Sequence, residues 1–348
     1  MINRRTGWAR ALTLVAAVSL AGLVLAACGG EYTQSALEPR SDFARSLDDL
    51  FRLIFWWAAA VFVVVEGALL FTIIRFRDRP GAEKPKPVHG NTALEIAWTL
   101  APAIVLMLIA IPTIKTIWIV DQPPPGDPLV VEAIGHQWWW EFRYPEQGIV
   151  TANELHLPVD RTVDIRLTSA DVIHSFWIPR LGGKRDAMPG HETFVWFKPD
   201  SVGTYTGQCA EFCGMAHALM KMELVVEEQA DFDSWAESMS TPVVLPAPAD
   251  SADEAARLLA AGSLAFQQGG CIACHRIAGT PAQGVLGPDL THIGSRRTIA
   301  AGILENTPQE MARWIRDPQA IKPGVLMPSM GLSEEQIQTI VAYLQGLE

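Results

Sequence analysis

The chain has 348 residues, a formal net charge of −11 at pH 7 and a hydrophobic content of 49%. Its length allows two soluble domains together with membrane segments. The acidic excess lies in residues 121–249, where 8 basic and 19 acidic side chains predict an acidic face that attracts a basic protein partner and repels nucleic acid. The alternative is a soluble domain that is merely well solvated.

Residues 1–28 have the features of a secretory signal peptide. Three arginines precede an apolar run from Leu12 to Leu25, and small residues lead to Cys28. A cysteine at the cleavage point resembles the bacterial lipoprotein signal, which predicts Cys28 as the lipidated first residue of the mature protein on the outer side of the cytoplasmic membrane. An uncleaved anchor and cleavage near Ala27 are the alternatives.

Residues 29–121 contain two apolar runs, 51–74 and 94–120, each long enough to cross a bilayer as a helix. The loop between them carries five basic and two acidic side chains, and positively charged loops remain in the cytoplasm. The sequence therefore predicts a two-helix transmembrane hairpin with the rest of the chain in the periplasm or its equivalent. Glu95, at the cytoplasmic start of the second run, fits either the headgroup layer or a proton path into a partner subunit.

Short strand-like segments characterise residues 122–240. They are bounded by Gly, Pro and Asp, and they comprise 129–134, 154–157, 162–167, 193–197 and 222–226. Strands of this length and spacing predict a β-sandwich or a β-barrel. An aromatic cluster around Trp138 fits either core packing or a surface through which electrons arrive.

Four side chains with metal-binding atoms recur every three or four residues in one segment, namely Cys209, Cys213, His217 and Met220. Thiolate, imidazole and thioether are the ligands of copper electron-transfer sites. A mononuclear site needs one cysteine, so the second thiolate predicts a second copper ion bridged by both sulfurs. A disulfide leaves His217 and Met220 without a role, and methionine is a poor zinc ligand.

A dinuclear site needs one nitrogen ligand for each metal, and His217 supplies only one. His174, which lies 35 residues before Cys209, is the favoured second ligand because it follows a strand and opens a loop. The alternatives in the same part of the chain are His136, His156 and His191.

Residues 241–250 form a Pro/Ala-rich linker to the last segment, 251–348. That segment contains Cys271, Cys274 and His275 in the C-x-x-C-H motif, which attaches haem c through two thioethers and one imidazole. A zinc knuckle would need a further Cys/His pair nearby, and the sequence has none.

The second axial ligand of the haem is expected from a Pro-rich loop near the C-terminus. Met327 is favoured over Met330 because it precedes a proline, and His/Met ligation favours electron transfer over oxygen binding. Gly287 and Pro288 are expected on the other side of the haem, where a backbone carbonyl would orient His275.

Together these motifs resemble subunit II of haem-copper cytochrome c oxidases, in the bacterial caa type with a fused C-terminal cytochrome c domain. The resemblance extends over essentially the whole chain. It implies a multidomain fold with a two-helix transmembrane hairpin, an all-β cupredoxin-like barrel and an all-α cytochrome c domain. It also implies that the binuclear centre CuA is held by His174, Cys209, Cys213, His217, Met220 and the backbone carbonyl of Glu211.

The resemblance assigns roles to three further groups. The Glu211 side chain matches a family ligand of a magnesium or manganese ion shared with subunit I. Trp138 matches the tryptophan that receives the electron, although Trp139 stands where the family more often has tyrosine. Glu95 matches a glutamate at the mouth of a proton channel in subunit I.

The function implied by the resemblance is electron transfer within a terminal respiratory oxidase. Electrons from a cytochrome c, or from the quinol:cytochrome c reductase, would pass through haem c and CuA to subunit I, where oxygen becomes water and protons are moved. Subunits I and III and the lipid bilayer are the implied partners. A CuA-containing subunit of a nitric oxide reductase and a membrane-anchored copper carrier or assembly protein are the alternatives, although copper delivery needs no haem.

Overall fold

The computed structural model describes residues 32–78, 80–81, 90–241 and 253–348, together with a few separate positions before residue 24. The predicted cleavage site at Cys28, most of the loop between the apolar runs and most of the Pro/Ala linker lie outside the described residues. Within them, a helical hairpin is followed by an all-β part (residues 122–241, the β domain) and a helical part (residues 253–348, the C-terminal domain).

The hairpin consists of α1, Asp42–Arg75, and α2, Thr92–Val120. Among the described residues these are the two helices long and apolar enough to cross a membrane, and their large apolar side chains are mostly exposed. Such a helix is stable in a bilayer because all its backbone groups are hydrogen-bonded internally.

The first helix begins earlier than its apolar run predicts. The run reflects only the part of α1 that can face lipid, whereas the helix starts at Asp42. Ser41 caps it by accepting a hydrogen bond from the Ala44 amide, and Phe43 is buried in the core of the β domain. Packing therefore stabilises the polar first turns, which hydrophobicity alone does not identify.

The β domain is a sandwich of two five-stranded sheets within the described residues. The first has the order β3 (Ile149–Ala152), β2 (Trp139–Tyr144), β1 (Leu129–His136), β5 (Val163–Ser169) and β8 (Thr193–Phe197). The second has the order β4 (Glu154–Pro158), β10 (Lys221–Glu227), β9 (Gly203–Cys209), β6 (His174–Trp177) and β7 (Arg185–Ala187). The prediction of an all-β domain is therefore confirmed.

Alternation of side chains places the core between the two sheets. In β10, Met222, Leu224 and Val226 are buried, and the residues between them face outward. The helix α3, Gln229–Ser240, packs against one end of the sandwich through Phe232 and Trp235. Pairing of β9 with β10 and with β6 positions the side chains that the sequence predicts as metal ligands.

The regular secondary structure of the C-terminal domain is mainly α-helical, as predicted. Its elements are α4 (Glu254–Gln268), the short pair β11 (Thr298–Ile299) and β12 (Leu304–Glu305), α5 (Pro308–Arg316), α6 (Pro318–Ile321) and α7 (Glu334–Gln345). The helices α4 and α7 cross at Gly262, where an added Cβ would lie 2.1 Å from the Thr339 carbonyl oxygen. Only glycine permits this approach, which brings the two helices around one apolar core.

Candidate metal and haem sites

The segment between β9 and β10 carries the closely spaced cysteines. The two strands are antiparallel neighbours, and the Cys209 amide donates to the Met220 carbonyl across the base of the loop at 2.9 Å. On the other side of β9, Phe176 of β6 pairs with Cys209, which brings His174 to the same end of the sheet. His174 is the first residue of β6 and follows the loop after β5, so it begins a strand and does not open a loop.

Five side chains meet at this end of the sheet, and we refer to them as the sulfur–imidazole cluster: His174, Cys209, Cys213, His217 and Met220. The two cysteine sulfurs lie 3.8 Å apart, which is too far for a disulfide. The Cys209 sulfur is 3.9 Å from His174 Nδ1, and the Cys213 sulfur is 3.5 Å from His217 Nδ1. Met220 Sδ lies 3.9 Å from the Cys213 sulfur. Each cysteine sulfur therefore has its own imidazole nitrogen.

The charges of the two thiols show why this cluster suits a cation. The hydrogen bond from Cys213, followed by that from His174, lowers the pKa of Cys209 far below that of a free thiol. The same sulfur–sulfur contact raises the pKa of Cys213. Two thiolates 3.8 Å apart would repel each other, so ionisation of both is favoured by a positive charge beside the two sulfurs. Two soft metal ions that share both sulfurs would supply that charge.

A carboxylate that the sequence analysis missed orients one imidazole. Asp171 Oδ1 lies 2.8 Å from His174 Nε2, which leaves His174 Nδ1 directed at the Cys209 sulfur. Burial alone raises the pKa of Asp171, but hydrogen bonds from His174 and the Gln137 and Val172 amides lower it below its usual value. The Asp-x-x-His spacing was the available signal, because metal-binding histidines commonly donate their second N–H to a carboxylate.

We expect Asp171→Ala to weaken copper retention by roughly 10–100-fold, the usual cost of removing a group that orients a metal-binding histidine. Copper content after dialysis against a chelator measures the effect. Asp186→Ala is the matched control, because Asp186 is an exposed aspartate of the same domain. Equal copper loss from the two variants would contradict an orienting role for Asp171.

The three other candidate histidines lie outside the cluster. His136 stacks on Trp139 at 4.1 Å and contacts Glu141, and His191 is exposed. His156 is buried, with Nε2 3.0 Å from Glu154 and Nδ1 2.9 Å from Glu227. Burial alone lowers the pKa of His156, but these two hydrogen bonds raise it above its ordinary value of 6.5.

We expect His156→Gln to destabilise the β domain by about 3 kcal/mol, because it leaves two largely buried carboxylates without their cation. Because the pKa of His156 is raised, the stabilisation from protonated His156 is complete below about pH 6.5 and is lost as the pH rises through that raised pKa. Because the pKa of Glu154 is lowered, the stabilisation from the Glu154 carboxylate is complete above about pH 4.5 and is lost only at lower pH. The loss of unfolding free energy in His156→Gln relative to wild type should therefore be largest between about pH 4.5 and pH 6.5.

This prediction is tested by the midpoints of guanidinium-induced unfolding at several pH values, with the copper absorption band as the probe of unfolding. His191→Gln is the control because His191 is exposed. A difference between His156→Gln and wild type that grows toward alkaline pH would contradict the assignment of a protonated His156.

The outer side of the loop is open. The Glu211 carbonyl oxygen lies 3.3 Å from the Cys209 sulfur, while the Glu211 side chain is exposed. Beside it, the Phe212 side chain is 77% exposed and its ring lies 5.8 Å from that of His217. A large exposed aromatic side chain next to such a site is typical of a contact with another protein.

Trp138 contacts the same loop and is buried, with 7% of its surface exposed. Its indole Nε1 donates to the Cys213 carbonyl at 3.0 Å, and the Gln137 side chain donates to the same oxygen at 2.7 Å. The tryptophan is thus hydrogen-bonded to a residue of the sulfur–imidazole cluster.

In the C-terminal domain, His275 is held by the hydrogen bond that the sequence predicted. Its Nδ1 donates to the Pro288 carbonyl at 2.8 Å, which leaves Nε2 free to bind iron. Burial lowers the pKa of His275 and so favours the neutral imidazole. An added Cβ on Gly287 would lie 2.7 Å from the His275 ring, so this position requires glycine.

The surroundings of His275 fit a haem. Val285 and Leu286, which lie just before Gly287, are 78% and 74% exposed, and a haem beside His275 would cover such apolar side chains. Arg296 is buried, and its Nε has no hydrogen-bond partner among the described residues. A haem propionate would satisfy such a buried donor.

The two candidate methionines lie in the loop between α6 and α7. Met327 is half-buried, whereas Met330 is 41% exposed. The Met330 methyl group lies 3.2 Å from the position of a Cβ added to Gly270, just before Cys271. Met330 therefore lies near the C-x-x-C-H segment, whereas the greater burial of Met327 is the observation that favours Met327 as the axial ligand.

Glu95 begins the second membrane helix. Its Oε1 accepts a hydrogen bond from the Asn91 amide at 3.2 Å, while the Asn91 side chain accepts from the Ala93 and Leu94 amides. Asn91 is the N-cap of α2, and the hydrogen bond from the Asn91 amide to the Glu95 carboxylate stabilises the start of this helix whatever else Glu95 does.

Three family models match separate parts of the chain. The model for the periplasmic domain of cytochrome c oxidase subunit II matches residues 146–228, and the model for its transmembrane domain matches residues 31–116. The model for cytochrome c matches residues 259–348. The matches follow the order of the three structural parts.

Similar proteins extend over nearly the whole chain. Cytochrome c oxidase subunit 2 of Alkalihalophilus pseudofirmus is 38% identical, with 95% of this chain and 96% of that protein aligned. The protein of the same name from Bacillus sp. strain PS3 is 35% identical, with 94% of each chain aligned. Quinol oxidase subunit 2 of Bacillus spizizenii is 38% identical, but only 60% of this chain and 67% of that protein are aligned.

Proposed function

The chain belongs to the cytochrome c oxidase subunit II family, and we propose that the sulfur–imidazole cluster and the Glu211 carbonyl hold its CuA centre. The observation that carries this proposal is the pairing of each cysteine sulfur with its own imidazole nitrogen. Met220 completes the set on the Cys213 side. These residues fit two bridged copper ions better than a single zinc ion.

The bound copper pair and haem c supply one-electron redox chemistry, so that electrons from cytochrome c reach the catalytic subunit I, which reduces oxygen to water. The nearly full-length relatives and the fused cytochrome c domain support this function over a nitric oxide reductase subunit or a copper carrier. The chain is a membrane protein whose β domain is periplasmic.

For the C-terminal domain we propose that Cys271 and Cys274 bind haem c covalently and that His275 and Met327 are its axial ligands. The Pro288 carbonyl fixes the tautomer of His275. The C-x-x-C-H spacing, the exposed apolar side chains beside His275 and the unsatisfied Nε of Arg296 support haem binding here.

The face of the β domain that carries Glu211 is proposed to contact subunit I. The exposed Glu211 carboxylate would contribute to a magnesium or manganese site shared with that subunit, and Phe212 would pack beside it. Trp138 is proposed to receive the electron, because its indole is bonded to the Cys213 carbonyl. Glu95 is proposed to lie at the mouth of a proton channel in subunit I, in addition to capping α2.

Further proposals concern the partners and the membrane. A cytochrome c or the quinol:cytochrome c reductase is the proposed electron donor, and subunit III is a further proposed partner. The small residues before Cys28 support its lipidation as an additional anchor in the bacterial cytoplasmic membrane.

Isolation of the membrane complex tests the proposed sites. We expect two copper ions and one covalently bound haem c per copy of this chain, a copurifying catalytic subunit, and oxygen uptake with reduced cytochrome c. A complex that lacks copper in this chain, or a chain that copurifies without a catalytic subunit, would overturn the proposal.

A further inference from the structure

The C-terminal domain lies against the β domain, and Lys322 is at the centre of the contact. It is the only lysine after residue 250, and 2% of its surface is exposed. Its Nζ donates to the Trp138 carbonyl at 2.6 Å and contacts the Ala300 carbonyl at 3.3 Å. A buried ammonium group is costly unless it is hydrogen-bonded, so these two carbonyls define where the lysine can reside.

The partner of Lys322 in the β domain is directly linked to the sulfur–imidazole cluster. The Trp138 carbonyl accepts from Lys322, while the Trp138 indole donates to the Cys213 carbonyl. One residue therefore connects the lysine of one domain with a cysteine of the other.

A second contact joins the loops that carry the proposed ligands. Gly324 has a φ of +87°, and an added Cβ there would lie 2.9 Å from Met215 Cβ and Sδ. Met215 lies between Cys213 and His217 in sequence, and Gly324 lies three residues before Met327. Any side chain at Gly324 would push the two loops apart.

The remaining contacts surround this centre with polar and apolar groups. The Arg297 amide donates to Glu154 Oε2 at 2.8 Å, and its guanidinium lies 3.3 Å from Glu223. Two carboxylates of the acidic β domain thus bind the C-terminal domain of the same chain. Ala301 is buried with Trp139, and its carbonyl accepts from the Lys221 amide at 3.2 Å.

The C-terminal domain is shaped for this contact. Ala300 and Ala301 have φ values of +55° and +66°, which are uncommon for residues other than glycine. Their carbonyls are those that contact Lys322 and Lys221. Backbone of this kind persists when surrounding contacts hold it, and here these contacts include the neighbouring domain.

We propose that Lys322 is the positioning residue that seats the C-terminal domain on Trp138 and thereby closes Trp138 to an external electron-donor protein. The donor then has to approach the C-terminal domain, and the electron reaches Trp138 only from within the chain. This inference rests on the proposed roles of Trp138, the sulfur–imidazole cluster and the haem-binding residues. Loss of the lysine amine would leave the two domains joined by the linker and the outer contacts.

Lys322→Met in the intact oxidase complex tests the seating, because methionine retains a long apolar side chain and removes the amine. We expect faster hydrogen exchange in residues 136–140 and 213–216. Electron transfer from haem c to copper after flash reduction should slow by about tenfold or more, since a fixed contact becomes a tethered encounter. The optical bands of haem and copper should be unchanged.

Arg313→Met is the matched control. Its guanidinium is 57% exposed and pairs with Glu310 inside the C-terminal domain. The hydrogen exchange in the two segments and the rate of electron transfer from haem c to copper should therefore remain those of wild type. Unchanged exchange in both segments together with an unchanged transfer rate in Lys322→Met would overturn the proposal.

Labelling of the unmodified complex gives a test that needs no variant. A small amine-acylating reagent should modify Lys198, whose side chain is 42% exposed, at least about tenfold faster than Lys322. Equal labelling of the two lysines in a complex with normal copper and haem bands would overturn the proposed seating of the C-terminal domain by Lys322 and would leave the proposed function intact. Absence of those bands from the wild-type complex would instead contradict the proposed function.

Discussion

Cys213→Ser is expected to abolish the binuclear copper centre and to leave the haem of the C-terminal domain intact. The Cys213 sulfur lies 3.8 Å from the Cys209 sulfur, 3.5 Å from His217 Nδ1 and 3.9 Å from Met220 Sδ, so it faces every other cluster residue except His174. A serine hydroxyl is neither a soft ligand nor ionised at neutral pH, and it cannot bridge two copper ions.

Oxygen uptake with reduced cytochrome c should fall by about 100-fold or more, since loss of a group that only orients a ligand already costs roughly 10–100-fold. Copper content and the copper absorption band measure the loss directly, and the haem band reports the integrity of the C-terminal domain. Ala218→Ser is the control, because Ala218 lies in the same loop and contributes no metal-binding atom. Two copper ions with a wild-type spectrum in Cys213→Ser would disprove the bridging role.

The loop between β9 and β10 separates two contacts of different character. On one side, Glu211 and Phe212 are exposed and available to another subunit. In contrast, the Trp138 indole donates to the Cys213 carbonyl, and the Trp138 carbonyl accepts from Lys322 of the C-terminal domain. The sulfur–imidazole cluster is therefore next to exposed side chains and is also linked to the C-terminal domain through Trp138.

The cluster could be predicted from sequence because most of it is local. Cys209, Cys213, His217 and Met220 lie within one loop, and thiol, imidazole and thioether groups at such spacing together favour a soft metal ion. His174 required a choice among several histidines, since strand pairing between β6 and β9 decides which one approaches the sulfurs. The structure brings His174 to the cluster, while the histidines of the other strands lie elsewhere.

Other features depend on contacts that no local pattern encodes. The helix α1 extends beyond its apolar run because Phe43 packs into the β domain. Lys322 is buried and donates to the Trp138 carbonyl of the other domain, a contact that no sequence pattern around it predicts. Likewise, the sequence left Trp138 equally suited to core packing or to electron uptake, and its hydrogen bond to Cys213 is visible only in three dimensions. Such long-range contacts arise from packing, which periodicity does not specify.

Met327→Ala is expected to remove the sixth ligand of haem c and to lower its reduction potential by on the order of 0.1 V or more, because axial ligands set haem potentials and methionine raises them. A lower potential makes reduction of the haem by a donor cytochrome c less favourable. Oxygen uptake should therefore fall, while the copper band should be unchanged. A redox titration of the haem band measures the shift.

Met330→Ala is the matched variant, since Met330 belongs to the same loop but is 41% exposed. Its haem potential should be that of wild type, and its haem should not bind carbon monoxide, whereas the open iron site in Met327→Ala should bind it. The reverse result would identify Met330 as the ligand. Gly324, in the preceding part of this loop, lies against Met215 of the other domain. The copper band of both variants therefore also shows whether loss of the haem ligand affects the copper site through this contact.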